Sequence, residues 1–258
     1  MTGQRDKAGF SLIEMIVAIA ILAVLAGAMA PLALQTIDRS RADTTILRQK
    51  LIYRVILGDP LVSGSGFLSD IGRLPGADLS ELTLRGMLPV YSIQACGVGM
   101  GWRGPYLLEG VDLATGKPLD GWGMPMDFAN GQIRSGGLDR DLTTAADNIV
   151  YPPNPITANN LNGSIVLSVL ALDTSTAQAN FVAGGGQARM YYAQNGSMQS
   201  TVLISASGSY AFSPLVQGIH AISITGDPDG AGPQLPLTQT ITLYCPGGGA
   251  VHQTVALR

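Results

Sequence analysis

The sequence predicts an α+β fold: a long N-terminal helix, transmembrane in its first half and amphipathic in its second, packed on a small antiparallel sheet and followed by an all-β sandwich domain. Three observations carry this expectation. The segment Met15 to Ile37, MIVAIAILAVLAGAMAPLALQTI, holds no charged residue. The chain contains 33 Gly and 15 Pro among its 258 residues, which favours strands, turns and loops over a helical bundle. After Pro155 it reads as short β-rich runs separated by turn signals.

Composition narrows the function classes. Charged residues make up 13% of the chain, about half of the roughly 25% usual in soluble domains. Fifteen Lys and Arg stand against 18 Asp and Glu, a net charge of −3. There is no basic footprint for nucleic acid, and no nucleic-acid partner is expected. Two cysteines exclude a disulfide scaffold and a four-cysteine zinc site, and two histidines argue against a histidine-rich metal centre.

The N-terminal helix comes first. The 23 uncharged residues from Met15 to Ile37, at about 1.5 Å each, cover roughly 35 Å, enough for the roughly 30 Å hydrocarbon layer of a bilayer. The leader Met1 to Gly9 carries Arg5 and Lys7 against Asp6. Positive charge ahead of an apolar span keeps the leader cytoplasmic and sends the remainder across the membrane. A secretory signal peptide cut at Ala28-Met29-Ala30 would place Pro31 directly after the scissile bond and leave Glu14 interrupting the apolar core. A plain anchor leaves Glu14 unexplained, and an ionisable group in a membrane span is a functional hypothesis by default.

The segment Gly9-Phe10-Ser11-Leu12-Ile13-Glu14 resembles the processing site of type IV pilins and type II secretion pseudopilins. The resemblance implies cleavage between Gly9 and Phe10 by a prepilin peptidase that also methylates the new N-terminus, leaving residues 1–9 as a leader. Glu14 then falls where the family has its glutamate, and Pro31 where pilins often carry a proline. A carboxylate in lipid is protonated or seeks a cation, and the nearest new cation in a growing bundle is the α-amino group of a neighbour's Phe10. That pairing would set the axial register between subunits. Pro31 has no N–H to donate and is expected to kink or locally melt the helix.

The helix is expected to run over residues 10–58, with 10–37 as membrane span and filament core, for about 48 residues and roughly 70 Å. Ile46, Leu47, Leu51, Ile52, Val55 and Ile56 form its apolar stripe. Arg39, Arg41, Asp43, Arg48, Lys50 and Arg54 mostly lie off that stripe as a solvated face, and Gly58-Asp59-Pro60 ends the helix.

A globular head is expected over 59–153. Asp70-Ile71-Gly72-Arg73-Leu74-Pro75 and Trp102-Arg103-Gly104-Pro105-Tyr106-Leu107 resemble stretches of the major pseudopilins. Asp120-Gly121-Trp122-Gly123-Met124-Pro125-Met126 resembles that family's Asp-Pro-Trp-Gly-Asn-Pro-Tyr signature, altered at three positions. Asn130-Gly131 is a two-residue hairpin signal between Met126-Asp127-Phe128 and Gln132-Ile133-Arg134. Trp102, Tyr106 and Trp122 read as core aromatics that pin the small sheet to the helix. The loop Ser135 to Asn148 concentrates three aspartates and an asparagine, hard oxygen ligands of the kind calcium prefers. Resemblance to the calcium loop of major pseudopilins carries the site to Asp139, Asp147 and Asn148, with Asp141 and the Leu138 carbonyl as further ligands. The residues alone equally allow a polar loop closed by Asx turns.

Tyr151-Pro152-Pro153-Asn154-Pro155 forms a stiff break before an extension over 154–258. Strands are expected at Ser164–Ala171, Ala188–Ala193, Met198–Ser205, Ser209–Phe212, Ile219–Thr225, Gln239–Tyr244 and Val251–Leu257, in an antiparallel β-sandwich. Gly184-Gly185-Gly186, Asn195-Gly196 and Asp227-Pro228-Asp229-Gly230 supply turns. Gly208 to Phe212 and Gly218 to Ile224 resemble the repeating edge of transthyretin-like or carboxypeptidase-regulatory-like sandwiches. On the oxidising side of the membrane Cys96 and Cys245 have the opportunity to pair and staple the extension to the head.

No catalytic constellation emerges. His220 and His252 read as structural, no Gly-x-Ser-x-Gly elbow is present, and Gly97-Val98-Gly99-Met100-Gly101 lacks the strand-to-helix setting of a phosphate cradle. The resemblance implies a structural subunit of a type II secretion pseudopilus or type IV pilus-like filament, not an enzyme. It would be a single-pass inner-membrane protein with a periplasmic head, and on assembly a filament possessing a route to the cell surface. Its implied partners are the prepilin peptidase, other pilin or pseudopilin subunits, an inner-membrane platform with its ATPase, and the lipid bilayer. The alternative is a membrane-anchored or filament-tip binding module, adhesin- or lectin-like, acting through the β-domain.

Overall fold

The structure, a computed structural model, describes residues 12–58, 66–144, 147–173, 178–181, 186–205, 207–227 and 237–257. The helix α1 runs from Leu12 to Leu57, 46 residues without a break, or about 69 Å. Pro31 lies inside it and the helix continues through. The local melting expected at this residue does not occur, because proline's fixed φ is already helical and the chain forgoes one hydrogen bond, to the carbonyl of Gly27. Gly58 turns the chain out of the helix at φ 83, its N–H 2.8 Å from the Arg54 carbonyl. The Asp59 and Pro60 of the expected stop signal lie outside the described residues.

The buried face of the lower half of α1 differs from the apolar stripe. Thr45, Gln49, Ile52 and Ile56 are the fully buried residues, at spacings of four, three and four, while Leu47 and Leu51 are 66% and 46% exposed. The reason is what the helix meets. Below it lies the three-stranded antiparallel sheet of the head, β3 (Asp127–Ala129), β4 (Gln132–Ser135) and β5 (Ile149–Tyr151), in that order; upstream in the chain, β1 (Ser92–Ile93) and β2 (Gly99–Met100) pair as a separate small antiparallel sheet. That sheet presents backbone carbonyls as well as apolar side chains, so the helix contributes hydrogen-bond donors alongside its isoleucines.

The head's core joins Ile52 and Ile56 of α1 to Phe67 and Ile71 of the short helix α2 (Phe67–Ile71), to Leu79 and Leu82 around a 3-10 turn, and to Met126, Phe128 and Ile133. Each such side chain contributes about 1.5–3 kcal/mol through burial. Asn130 and Gly131 join β3 to β4 with φ of 53 and 74, the two positive φ values of the hairpin turn that this dipeptide favours. Trp102 and Tyr106 pack on the core edge to face, their rings 6.1 Å apart. Trp122 does not join them: it lies outside the head core, in a groove with Gln35, Ala42 and Leu138.

Beyond the short helix α3 (Ala158–Leu161) the extension is a two-sheet sandwich. Its strands are β6 (Asn162–Asp173), β7 (Gln178–Phe181), β8 (Gly186–Gln194), β9 (Ser197–Ser205), β10 (Ser209–Val216), β11 (Gly218–Gly226), β12 (Leu237–Cys245) and β13 (Ala250–Leu257). One sheet has the order β10-β6-β13 with β7 on β6, and the other β12-β11-β8-β9. Period-2 alternation turns Ile165, Leu167, Val169, Tyr210 and Phe212 toward Ala188, Met190, Ile222 and Ile224 across the interior. Most pairs are antiparallel, but β13 runs parallel to β6, against the antiparallel expectation. The chain leaves β12 in one sheet, turns through Pro246–Gly249, and enters the other sheet beside β6, where the Ser164 N–H meets the Gly249 carbonyl at 2.9 Å. Of the expected turns, Asn195-Gly196 is formed with φ 51 and 75; Gly184, Gly185, Pro228, Asp229 and Gly230 lie outside the described residues.

The sandwich is fastened to the head by hydrogen bonds from several elements. The Gly196 N–H at the β8–β9 turn donates to the Ile71 carbonyl at 2.8 Å, and Arg73 Nε donates to Asn195 Oδ1 at 3.0 Å. The Ile219 N–H lies 3.3 Å from Ser69 Oγ, and Gln217 Nε2 reaches the Leu57 carbonyl at the end of α1, 3.2 Å.

Candidate functional site

The upper half of α1 is the first part of the site. Every described side chain from Leu12 to Ile37 is exposed, including Leu12 at 79%, Leu22 at 64% and Val24 at 73%. The helix is long and apolar enough to cross a membrane by length and composition, and no described residue folds over that stretch. Glu14 stands in its first turn and Pro31 midway. Gly9 and Phe10 lie outside the described residues.

The second part is the attachment that makes head and helix one lever. Arg48 Nη1 donates to the carbonyls of Leu119 and Asp120 at 2.8 and 2.7 Å, so this arginine is a structural donor and not a member of a solvated face. Gln49 Nε2 donates to the carbonyls of Ile149 and Ile133 at 2.7 and 3.2 Å. Thr45 Oγ1 donates to the Arg41 carbonyl and accepts the Gly121 N–H, both at 2.9 Å. A Cβ on Gly121 would collide with the Arg41 carbonyl, so glycine alone allows the loop this close to the helix backbone. Asp120, 1% exposed, organises the same loop. Its Oδ1 accepts the N–H groups of Trp122 and Met124 at 2.8 and 2.9 Å, and its Oδ2 accepts Ser135 Oγ at 2.6 Å. Those residues are the altered Asp120–Met126 signature, which keeps its tight turn.

The other two resemblance motifs meet each other. Asp70, 3% exposed, accepts the Tyr106 hydroxyl at 2.9 Å and pairs with Arg103 Nε at 3.2 Å. Burial pushes the Asp70 carboxyl above the usual range, with Arg103 and Tyr106 pulling it back. Tyr106 is pushed up, chiefly by burial. Arg73 grips Glu81 with both terminal nitrogens, at 2.8 and 2.6 Å, and holds that carboxyl below the usual range.

The aspartate loop is closed by its own hydrogen bonds. Asp139 Oδ1 accepts the Asp141 N–H at 2.8 Å, Asp141 Oδ1 accepts the Thr143 N–H and hydroxyl, each at 2.8 Å, and Asp147 Oδ2 accepts the Asp139 N–H at 2.9 Å. Thr144 donates to Asp139 Oδ2. The Asp139–Asp141 and Asp141–Thr143 bonds are Asx turns. Asp147 Oδ1 and Asn148 Oδ1 are buried without a partner, a pair of hard oxygens of the type a divalent cation uses. Asp139 spends both carboxylate oxygens and Asp141 its Oδ1 inside the loop, and among the described residues no three His, Cys, Asp or Glu side chains are grouped closely enough to hold a metal. The loop thus offers a partial donor set.

Cys96 and Cys245 are both free, which corrects the expected staple. Alternation along the second sheet is the physical reason. Cys245 pairs with Gly218 and lies in the sandwich interior with Ile222 and Ile224. Cys96 packs on the opposite face of that sheet, against Tyr191, Ile219 and Ala221, so the sheet itself stands between the two thiols. Sequence reading did not single out Thr45 and Gln49, which continue the Ile52–Ile56 helical stripe in register, the available signal; Asp120 entered only as the first residue of the resemblance motif, without its role as acceptor for the loop.

Residues 4–30 match the prokaryotic N-terminal methylation motif, the signature of type IV pilins and pseudopilins. No curated protein matches the chain. The match covers residues 4–9 of the expected leader, the expected cleavage point, Glu14 and α1 as far as Ala30, and so overlaps most of the helix surface that no described residue covers.

Proposed function

We propose that the chain is a structural subunit of a type II secretion pseudopilus or a type IV pilus-like filament. A prepilin peptidase cuts the precursor after Gly9 and methylates Phe10; the helix waits in the inner membrane with the head in the periplasm; a platform and its ATPase then draw it into the filament, which supports protein secretion across the outer membrane. One observation carries this reading: the methylation motif at residues 4–30 leads into an apolar helix with no cover of its own. Lipid covers that face before assembly and the helices of neighbouring subunits cover it afterwards.

The chain's residues have separable roles in this process. Glu14 sets register through the charged N-terminus of a neighbouring subunit. Arg48, Gln49, Thr45 and Asp120 transmit axial force from helix to head, because force applied to α1 reaches the sheet through short hydrogen bonds rather than through a flexible linker. Replacing Glu14 with Ala is the test: the variant should insert in the membrane and be processed, yet vanish from the sheared filament fraction. Normal incorporation of that variant would overturn the assembly role.

Calcium belongs to the same reading. The partnerless oxygens of Asp147 and Asn148 support a cation at this loop, with Asp139, Asp141 and the Leu138 carbonyl turning toward it on binding. Thermal unfolding of the full chain in detergent should shift upward with millimolar calcium and return with a chelator. An unchanged transition would remove calcium from the account.

A further inference from the structure

The face of α1 that docks the head does not stop at Thr45. Counting back from the buried residues Ile56, Ile52, Gln49 and Thr45 by the same alternation of four and three gives Ala42, Asp38 and Gln35. Burial fades along this row. Thr45 is fully buried, Ala42 and Asp38 are half-buried, and Gln35 is exposed. Head and helix part here, and the seam between them opens into a groove of about 430 Å³. Ala42, Trp122, Leu138 and Ile149 form its apolar wall, and Gln35, Asp38, Arg39 and Asp147 its polar side.

The height of the groove on the helix decides what can fill it. Gln35 belongs to the last turn of the uncharged run that ends at Ile37. Ala42 stands about 7.5 Å beyond that end along the axis. The headgroup layer of a bilayer is about 5–8 Å thick on each side of the hydrocarbon, so with the run in lipid the groove lies within that layer. Trp122 suits this depth; its indole N–H is buried, so the groove meets the ring and not the donor. Leu138, 57% exposed, extends the same wall. Arg39 is exposed and, among the described residues, forms no ion pair. Asp38 meets Arg41 at 3.5 Å with both side chains partly exposed, a pairing worth little. Asp147 turns Oδ2 to the Asp139 N–H and keeps Oδ1 buried, so it contributes charge to the groove without contact. The lining thus sets a cation beside an available anion, with two acids against one base.

We propose that the groove seats the headgroup of one zwitterionic phospholipid of the phosphatidylethanolamine type. Its phosphate lies on the Arg39 guanidinium, its ammonium turns to Asp38, and its glycerol and first methylenes lie on Trp122 and Leu138. The acyl chains follow α1 past Gln35 into the bilayer. An anionic headgroup satisfies Arg39 but brings no cation for Asp38 and is repelled by Asp147. The site rests on the membrane placement of α1 proposed above and adds to it: the bound lipid fixes how far the waiting subunit stands out of the membrane, and it is given up when the subunit is drawn into a filament.

Two measurements on the full chain, with calcium chelated, keep the site and its premise apart. Flotation with vesicles of phosphatidylethanolamine and phosphatidylglycerol reports membrane insertion. Native mass spectrometry from detergent micelles, titrated with each lipid at matched acyl chains, reports the groove. One phosphatidylethanolamine should be retained, about tenfold tighter than phosphatidylglycerol. Arg39→Gln should weaken its binding about tenfold, and Asp38→Asn should remove the preference between the two lipids. Asp43→Asn, exposed and outside the groove, should alter neither. A chain that fails to float would overturn the site together with the membrane reading. A chain that floats but holds the two lipids equally, or keeps its preference after Asp38→Asn, would overturn the site alone.

Discussion

The upper and lower halves of α1 belong to one unbroken helix and obey opposite rules. From Leu12 to Ile37 the side chains are almost all apolar and all those described are exposed. From Thr45 to Ile56 the side chains are mixed, and four of them are buried to 2% or less. Apolar composition and burial are thus uncoupled along this helix. The more hydrophobic half is the one over which no described residue folds, and under the proposed function its cover comes from lipid or from other copies. The less hydrophobic half is buried because it matches its partner surface in donors as well as in shape.

The sharpest way to break the comparison is at the loop that grips the lower half. Replacing Asp120 with Ala strands two N–H groups and the Ser135 hydroxyl in a buried site. At about 1–3 kcal/mol for each unmade hydrogen bond, partly relieved by water, the head should lose about 4 kcal/mol, read as a fall in its unfolding midpoint in detergent. A change under about 1 kcal/mol would show that Asp120 does not organise the attachment.

A matched pair of substitutions tests the two halves directly. Ile52→Ala, in the docked half, should cost about 3 kcal/mol of head stability. Ile19→Ala, at a site 63% exposed, should cost less than about 0.5 kcal/mol but lower the filament yield. Equal costs for the two would erase the distinction. Next in size, Gln49→Leu keeps the bulk and removes the donor to the Ile133 and Ile149 carbonyls, for an expected loss of about 2 kcal/mol. A neutral result there would mean that the interface needs only shape.

The smallest effect lies in the sandwich, whose core contrasts with the head's polar seam. Burial holds the His220 imidazole below its usual range, with nearby carbonyls pulling the other way. The unfolded chain takes up a proton near pH 6.5 that the folded chain refuses. Stability from this group is therefore fully present above about pH 6.5 and declines as the pH falls toward the folded value. His220→Phe should flatten that decline between pH 6.5 and 5 in chemical denaturation, and His252→Phe should leave it intact.

How much of this was legible in the sequence depends on which physical signal carried it. The long helix, the Asn130-Gly131 hairpin and seven strands of the extension announced themselves through an uncharged run, a dipeptide with special φ requirements, and alternation. β7 did not, and neither did the parallel entry of β13 beside β6, since strand direction depends on which sheet the chain joins after a turn. The apolar stripe misplaced the docked face because hydrophobicity marks Leu47 and Leu51, whereas the sheet needed the amide of Gln49 and the hydroxyl of Thr45. Cys96 and Cys245 looked like partners because sequence does not reveal which face of a sheet a residue occupies relative to a distant loop. Of the site itself, the N-terminal motif was readable in full; the Asp120 network and the groove beside Trp122 arise from tertiary packing.

The claim on which everything else rests is that the exposed half of α1 is processed for assembly. The mass of the N-terminal peptide of the membrane-associated protein tests it most directly, in cells with an active prepilin peptidase. The account expects a chain beginning at N-methylated Phe10. A chain that keeps Met1, or one that begins at Pro31 and has lost most of the exposed helix, would contradict it.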